Sequence, residues 1–539
     1  MLDKQVQGAS NVISMYEQHR RSGDLEKARA LLIDTWKSGL NDPELLYKLG
    51  ESFFLDKQPE NAIKFLKLAE KYQPRDPRYC HLIGQCYVEL NALDDAKMSF
   101  MKPSEQDRLY LSDIELAQLH AISSYEEFGV FDYERAFQKQ PTLDVLEGYV
   151  IHLITTLKAR SVVDLEFLEK VSSLLNIWHE NAAKPEFVLK WFALFYQRVG
   201  NYALAQDYYQ SYLRYFPDDI SVLYNLSQVE LSLGSYHECY EFYKNREKIQ
   251  GSIGSNKAVL ISRGMRELRY DELDQVRGKK LIIVPDQGMG DQIWSLSFIS
   301  DFTDKFGCSI EIWMAPKISE AVKQFYIDSR IIIKSFDEIT DSDGNDALAF
   351  VSLGDVFFLL SELAFNVKAQ GAYMKVGVSK FNESLGSGIK KVGLSWKSIG
   401  SPLGKTKDIP LEFLVELKAY AEYSFIACQY GDVKIEINSL RRQGLALIEE
   451  TNIDLLESLV ETYRIVAGCS KVITCSNTTA HIAGSLGIET LLLTNSPTIW
   501  YWNKPGPSQW YQSVTVVQKE LHESWDVLWS KVCNFLSES

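Results

Sequence analysis

Apolar residues follow two different spacings in the two halves of this chain. Up to about residue 250, apolar positions return every three or four residues, which is typical of one face of a helix. From about residue 278, short β-branched runs such as LIIVP (281–285) alternate with amphipathic segments. Strands that alternate with helices predict a parallel sheet with crossover connections. The pattern therefore predicts a helical N-terminal half and an α/β C-terminal half.

The helical half repeats itself with a period of 34 residues, which aligns 43–76 with 77–110. Equivalent positions carry similar side chains: Gly50 and Gly84, Ala62 and Ala96, Leu66 and Phe100. Small residues are expected where two helices cross closely, with a large residue filling the space beside them. This pattern resembles the tetratricopeptide repeat. A weaker unit precedes it near Ala28, and a further pair begins near Glu186.

A stack of helical hairpins commonly binds a peptide or a partner protein, because each hairpin buries its apolar face only against its neighbours. We therefore expect the repeats to bind a protein. The alternative is a scaffold that braces the rest of the chain or forms a dimer.

Composition limits the classes of partner. The formal net charge is −15, which argues against broad binding to nucleic acid or to an anionic membrane. The N-terminal segment has no apolar stretch of signal-peptide type, and no window is long and apolar enough to span a membrane. We expect a cytoplasmic protein without an integral membrane segment. The cysteines are scattered without a CxxC pair, which favours free thiols.

Three loop motifs in the α/β half resemble one family. They are DQGMGDQIWSLSFI (286–299), VGLSWKS…GKTKDIPLEFL (392–414) and VITCSNTTAHIAGSLGIETLLL (472–493). Together with the aromatic tail at 496–518, they resemble bacterial tetratricopeptide glycosyltransferases. The catalytic half of that family is similar to the heptosyltransferases and, more distantly, to the O-GlcNAc transferases. The resemblance implies the GT-B fold, in which two Rossmann-like domains face one cleft that binds a nucleotide-sugar.

Six segments are predicted from these patterns. They are tetratricopeptide-like repeats over 1–110, a helical segment of unclear repeat status over 111–184, repeats over 185–250, a linker over 251–277, an acceptor-side Rossmann-like domain over 278–385, and a nucleotide-sugar-side Rossmann-like domain with a C-terminal helix over 386–539.

The glycine-rich loop DQGMGDQ carries the first catalytic candidate. Gly288 and Gly290 allow a tight turn and close substrate approach, and Asp291 stands at the start of the next helix. A carboxylate there could accept the proton of an acceptor hydroxyl, as general-base catalysis requires. The resemblance places the proposed base of heptosyltransferases at Asp291, with Gln292 beside it in the acceptor loop. The alternative is that Asp291 caps the helix.

Three lysines lie at the end of the predicted strand segment KKVGLSWKS (390–398) and after it: Lys397, Lys405 and Lys407. A lysine beside a nucleotide diphosphate stabilises the charge that develops on this leaving group. The resemblance favours Lys407, which precedes the Ile-Pro pair, and the alternative for all three is a solvated surface lysine.

The segment SNTTAHIAGSLG (476–487) enters a helix through small and hydroxyl side chains, which suits a phosphate. Relatives often have Asp at the position of Ser476, so sugar recognition is open, and His481 is either a pocket residue or a core histidine. The residues predicted to bind the donor are Gly393, Ser395, Lys397, Lys405, Gln429, Ser476, Asn477, Thr478, Thr479 and His481.

The DSD sequence at 341–343 has the form of a metal-binding DxD motif, but its setting, DSDGND, predicts a turn. We expect no metal and no other cofactor. The leading hypothesis is inverting transfer of a sugar from a nucleotide-diphospho sugar to a protein hydroxyl, with flagellin or another surface protein as a possible acceptor. The alternatives are transfer to lipopolysaccharide or another glycan, and a scaffold whose transferase half has decayed.

Overall fold

The computed structural model divides into two compact units. The first comprises Met1–Thr156 with Ser173–Ala183, and the second comprises Leu157–Ser172 with Lys184–Ser539. The structure describes residues 2–21, 24–122, 126–157, 160, 162–249, 254–361, 368–386, 390–399 and 407–537.

The first unit consists of helices, and consecutive helices pack against each other. Their bounds are α1 Leu2–Arg21, α2 Leu25–Lys37, α3 Pro43–Leu55, α4 Pro59–Tyr72, α5 Pro77–Glu89, α6 Leu93–Met101, α7 Tyr110–Ile122, α8 Glu126–Lys139 and α9 Leu143–Thr156. An Asp-Pro pair begins α3 and α5: Asp42 and Asp76 cap the helices through their carboxylates, and proline takes the first helical position, where no hydrogen bond is lost.

Close helix crossings occur at the glycines that the 34-residue period predicts. A Cβ atom on Gly50 would lie 2.5 Å from Cγ of Leu66, and one on Gly84 would lie 2.4 Å from Cε1 of Phe100. Each large side chain therefore fills the space left by the missing side chain on the facing helix. The predicted pairing of small and large positions is confirmed.

Gly84→Ala is expected to destabilise the first unit by about 1–3 kcal/mol, because the added methyl group collides with the buried ring of Phe100. Chemical denaturation followed by circular dichroism measures the loss. Gly377→Ala is the control, since nothing lies within 4 Å of the added atom. Equal stability of the two variants would contradict the predicted crossing.

The second unit begins with helical segments that precede its sheets. They are α10 Leu165–Asn181, which spans both units, α11 Leu189–Arg198, α12 Tyr202–Leu213, α13 Ile220–Leu233, α14 Tyr240–Tyr243 and α15 Arg246–Ile249. Ala205, Tyr209 and Leu226, which the repeat pattern marks, are buried in the core of α11–α13. Gly234 ends α13 in a left-handed conformation, with φ of 89°.

A four-stranded parallel sheet follows. Its strands are β1 Lys280–Val284, β2 Ser309–Met314, β3 Ile332–Ser335 and β4 Ala347–Ser352, in the order β3-β2-β1-β4. The accompanying helices are α16 Gly254–Ser262, α17 Met289–Leu296, α18 Ile299–Phe306, α19 Pro316–Phe325, α20 Val356–Ser361 and α21 Lys380–Ser384. The strand order reverses between β1 and β4. The DSD sequence lies in a turn, as predicted, where Asp343 pairs with Lys334.

The described part of the predicted linker 251–277 packs against this sheet. Leu260 of α16 is fully buried beside Ile282 and Trp313, and the backbone N–H of Leu268 donates to Phe350 O at 2.8 Å. An apolar helix on an open sheet face removes apolar surface from water, so this segment is part of the domain rather than a free connection.

A seven-stranded sheet forms the C-terminal domain. Its strands are β5 Lys390–Ser395, β6 Tyr423–Ala427, β7 Leu447–Ile448, β8 Lys471–Thr474, β9 Glu489–Asn495, β10 Gly506–Pro507 and β11 Val514–Lys519, in the order β10-β11-β9-β8-β5-β6-β7. The accompanying helices are α22 Leu411–Val415, α23 Lys434–Arg442, α24 Leu459–Ala467, α25 Thr478–Leu486 and α26 Trp529–Ser537. All pairs are parallel except β10 with β11. The order reverses between β5 and β8.

Helical repeats followed by two doubly wound, largely parallel sheets confirm the predicted architecture. Within the described ranges, none of the helices combines the length and apolar character needed to cross a lipid bilayer.

Candidate active site

The site lies where the helix after β1 meets the helix after β8. Helix α17 of the first sheet packs against α25 of the second, and both start at the carboxyl ends of their strands. Ligands of open α/β sheets bind at carboxyl ends where the strand order reverses. The three sequence motifs lie at the carboxyl ends of β1, β5 and β8, next to the places where the strand order of each sheet reverses.

Asp291 is the third residue of α17, and Gly288 occupies the N-cap. Asp291 therefore does not cap the helix, which removes the alternative role considered above. Its carboxylate accepts a hydrogen bond from the Tyr501 hydroxyl at 3.2 Å. Burial raises the pKa of Asp291 to about 6, against the opposing effects of Tyr501 and of the positive charge of Lys407. A carboxylate of this pKa is ionised at neutral pH and is a stronger base than a solvated one.

The glycines of this loop allow two close approaches. A Cβ on Gly290 would lie 2.9 Å from the His481 ring, and one on Gly288 would lie 3.1 Å from Asp291 Oδ2. Gly290 thus lets α17 and α25 touch. Gln292 donates through Nε2 to Gln287 O at 2.9 Å, while its buried Oε1 has no hydrogen-bond partner among the described residues.

Lys407 lies beside the carboxyl end of β5. The next residues hold it there, because Asp408 accepts a hydrogen bond from Ser398 N at 3.1 Å and Ile409 N donates to Trp396 O at 2.8 Å. Burial lowers the pKa of Lys407, and the charges of Asp291 and Asp408 partly offset this effect. Asp291 and Lys407 therefore act on each other's pKa through their charges, and their catalytic roles stay predictions.

Four of the predicted donor residues form one buried hydrogen-bond network. Gln429 Oε1 accepts from Ser395 Oγ at 3.1 Å and from the backbone N–H of Lys397 at 2.9 Å. Asn477 Nδ2 donates to Ser395 Oγ at 2.8 Å, and Thr479 Oγ1 donates to it at 3.2 Å. These side chains bind each other and hold together the segments that follow β5, β6 and β8.

Asn477 also caps α25, since its Oδ1 accepts from the backbone N–H of Thr479 at 3.0 Å and of Ala480 at 3.4 Å. Thr478, at the first helical position, is only partly buried, and Ser476 is 4% exposed. The helix terminus predicted to hold a phosphate is present, and a phosphate contact there stays a prediction.

Two other predicted donor residues, Gly393 and Lys397, make contacts within the protein. Gly393 lies inside β5, where a Cβ would be 2.9 Å from Cys428 Sγ, so its place is explained by packing. Lys397 pairs with Glu436 at 2.5 Å. Lys405 lies outside the described residues.

His481 is a hydrogen-bonded core histidine, as the second of its two predicted roles required. Its Nδ1 lies 3.0 Å from the Tyr511 hydroxyl, and its ring packs against Tyr501 and Trp502. Burial lowers the pKa of His481 to about 3, so the ring is neutral at physiological pH. It supports the loop that carries Asp291 through its contact with Gly290.

A cavity of about 800 Å³ lies at the carboxyl ends of β6 and β7. Gln429 and the segment 449–456 line it, together with the start of α23. Its acidic side chains are Asp432, Glu449, Glu450 and Asp454. Carboxylates accept hydrogen bonds from sugar hydroxyls and base amino groups but repel phosphate. This cavity therefore offers mainly hydrogen-bond acceptors to a ligand, with Lys434 as a cation among its lining residues.

Sequence reasoning missed an ion cluster behind the glycine loop. Arg246 of α15 is 1% exposed and contacts Asp286 at 2.5 Å and Asp355 at 2.6 Å. Asp286 follows β1 and Asp355 follows β4, so the cluster ties α15 to the point where the strand order reverses. The strand-end position of Asp286 was a usable signal, whereas nothing local in the sequence marks Arg246. Among the described residues, no group of three or more His, Cys, Asp or Glu side chains could hold a metal ion.

Comparison with known proteins agrees with the repeat prediction. Residues 193–238 match the tetratricopeptide repeat model. The chain is 24% identical over 346 residues to protein FlbA of Caulobacter vibrioides, in an alignment that covers 60% of this chain and 56% of FlbA. The match thus spans little more than half of that relative.

Similar solved structures include repeat proteins and glycosyltransferases. A family 9 glycosyltransferase from Veillonella parvula is 11% identical, covering 48% of this chain and 90% of its own, with a TM-score of 0.35. The Escherichia coli ADP-heptose lipopolysaccharide heptosyltransferase II is 10% identical, covering 48% and 99%, with a TM-score of 0.33. The tetratricopeptide repeat protein YrrB is 13% identical, covering 36% and 96%, with a TM-score of 0.32.

Proposed function

We propose that this protein is an inverting glycosyltransferase that moves a sugar from a nucleotide-diphospho sugar to the hydroxyl of a Ser or Thr side chain without a metal ion. The observation that carries the proposal is the buried carboxylate of Asp291, whose pKa is raised to about 6, at the contact of α17 with α25 where two doubly wound sheets meet. The positive charge of Lys407 acts on this carboxylate. Buried groups with perturbed pKa values at such a position are typical of catalytic sites.

The chemistry is a single displacement. The carboxylate of Asp291 takes the proton of the acceptor hydroxyl, whose oxygen forms a bond to the anomeric carbon. The bond from that carbon to the diphosphate oxygen breaks, and the nucleoside diphosphate leaves with the electron pair. Lys407 and the N-terminus of α25 stabilise the negative charge on the leaving group. Attack from the face opposite the leaving group inverts the configuration.

The acceptor is assigned to a protein because repeat helices adjoin the site. Helices α11 and α13 contribute to a cavity that Lys407 also lines. A peptide bound to these helices would lie beside Lys407. The repeats of the first unit supply further hairpins of the kind that binds protein segments.

Donor binding is testable by thermal shift and calorimetry with UDP, GDP, CMP and ADP, each with and without magnesium. One nucleotide is expected to bind independently of magnesium and, at a hundredfold excess over its Kd, to stabilise the chain by about 2.7 kcal/mol. Lys407→Ala is expected to lose most of this stabilisation, because a partly buried cation is removed.

Lys418→Ala is the matched control. Lys418 is an exposed lysine that follows α22 in the chain, whereas Lys407 precedes this helix. If no nucleotide binds to the wild-type chain, the transferase proposal fails and the non-catalytic scaffold becomes the function. If a nucleotide binds but the sugar is transferred to a glycan rather than to protein, only the acceptor assignment is wrong.

A further inference from the structure

A second cavity, of about 350 Å³, lies between helices α11 and α13 and the loop after β9. Three cationic side chains line it: Arg160, Arg198 and Lys407. Amide and hydroxyl side chains, including those of Asn225 and Gln228, complete the polar part, and no Asp or Glu of the described chain takes part in the lining. In a protein of net charge −15, a cavity with cations and no carboxylate is a local reversal of charge.

Arg198, the last residue of α11, has no acidic partner among the described residues. Its Nε is buried without a hydrogen bond, and only the Tyr209 hydroxyl opposes the lowering of the Arg198 pKa by burial. The buried Arg246, by contrast, contacts two carboxylates. A desolvated guanidinium without a counter-ion is costly, so an anion from solution would be bound strongly.

Two more donors in the lining are also unsatisfied. Nε of Arg160 and Nε2 of Gln228 are buried and have no hydrogen-bond partner in the described part of the chain. A ligand that carries several oxygens would supply acceptors for these donors.

We propose that this cavity binds a monosaccharide that carries an anionic group, with its carboxylate or phosphate held by Arg198 and Arg160. Planar guanidinium groups bind both oxyanions in a bidentate manner. The hydroxyl groups of the sugar would contact Asn225 and Gln228, and the cavity volume accommodates one sugar ring rather than a whole nucleotide-sugar. The site is separate from the acidic cavity at β6 and β7, and it shares Lys407 with the proposed transferase site. The binding experiment below requires no sugar transfer, so its failure is distinguishable from failure of the proposed function.

Calorimetry on the full chain tests the site with glucuronate, glucose 6-phosphate, glucose and inorganic phosphate. At least one of the two sugar anions is expected to bind ten times or more tightly than glucose and than inorganic phosphate. Stronger binding of glucuronate identifies a carboxylate as the anionic group, and stronger binding of glucose 6-phosphate identifies a phosphate.

Arg198→Gln is expected to weaken this binding at least tenfold, and Arg198→Lys to weaken it less because the charge is kept. Arg269→Gln, at an exposed arginine, is the control. The Tm of Arg198→Gln without ligand is expected to equal or exceed that of the wild type, since an uncompensated buried charge is lost. Absence of binding, equal binding of glucose, equal binding of inorganic phosphate, or unchanged affinity in Arg198→Gln would each overturn the proposal.

Discussion

Asp291→Asn is expected to lower the rate of sugar transfer by a factor on the order of 10²–10⁴, because the amide cannot accept the acceptor's proton. The same substitution is expected to stabilise the folded chain at alkaline pH. The pKa of Asp291 is about 6 in the folded state, compared with about 3.9 in an unfolded chain. Folding therefore favours the protonated carboxyl, and ionisation lowers the free energy of unfolding as the pH rises from about 4 to about 6.

The asparagine variant avoids this cost, so its free energy of unfolding at pH 8 is expected to exceed that of the wild type by up to about 3 kcal/mol, with the difference vanishing near pH 4. Thermal unfolding at the two pH values measures the effect, and initial rates of transfer measure the activity. An activity loss accompanied by a lower Tm at pH 8 would indicate a structural role for Asp291 instead.

The hydrogen bond from Tyr501 provides an independent test of the pKa of Asp291. Its hydroxyl donates to Asp291 and lowers the pKa of that residue. Tyr501→Phe is therefore expected to shift the acidic limb of the pH–rate profile to higher pH, while the wild-type limb lies near pH 6 because Asp291 must be ionised to act as a base. If the acidic limb does not move, the ionisation that sets it belongs to a group other than Asp291.

Arg246→Met is expected to destabilise the second unit by about 3–5 kcal/mol, which is the largest stability effect predicted for a single substitution here. The substitution leaves Asp286 and Asp355 without their cation in a buried position. Denaturant unfolding followed by the fluorescence of the buried Trp294 and its aromatic neighbours measures the loss. Arg269→Met, at an exposed ion pair, is expected to change stability by less than about 1 kcal/mol.

A second variant distinguishes the lost charge from lost packing. The triple variant Arg246→Met, Asp286→Asn, Asp355→Asn is expected to recover part of the stability, because no uncompensated charge remains buried. If the single variant unfolds at the wild-type denaturant concentration, or if the triple variant is less stable than the single one, the cluster does not stabilise the unit in the way described.

Local sequence patterns predicted most of the architecture. The Asp-Pro pairs at Asp42 and Asp76 begin helices, the glycines at 50 and 84 mark crossings, and the β-branched runs form the parallel strands. These features depend on residues within one turn, one hairpin or one strand, so their physical causes are visible along the chain. The exception is the segment 254–277, whose packing depends on apolar side chains that face a sheet formed later in the chain.

The sequence by itself determined the period of the repeats, the two doubly wound sheets and the strand-end positions of Asp291, Lys407 and Asn477, because these follow from short-range spacing. Only the tertiary structure decided what those side chains do. It placed Tyr501 on Asp291, bound Ser395, Gln429, Asn477 and Thr479 to each other, and put Arg246 between two carboxylates while Arg198 has none. The burial and charge of a site residue depend on contacts with residues up to 210 positions away, such as that of Tyr501 with Asp291. A local sequence pattern does not show which distant residues will be in contact.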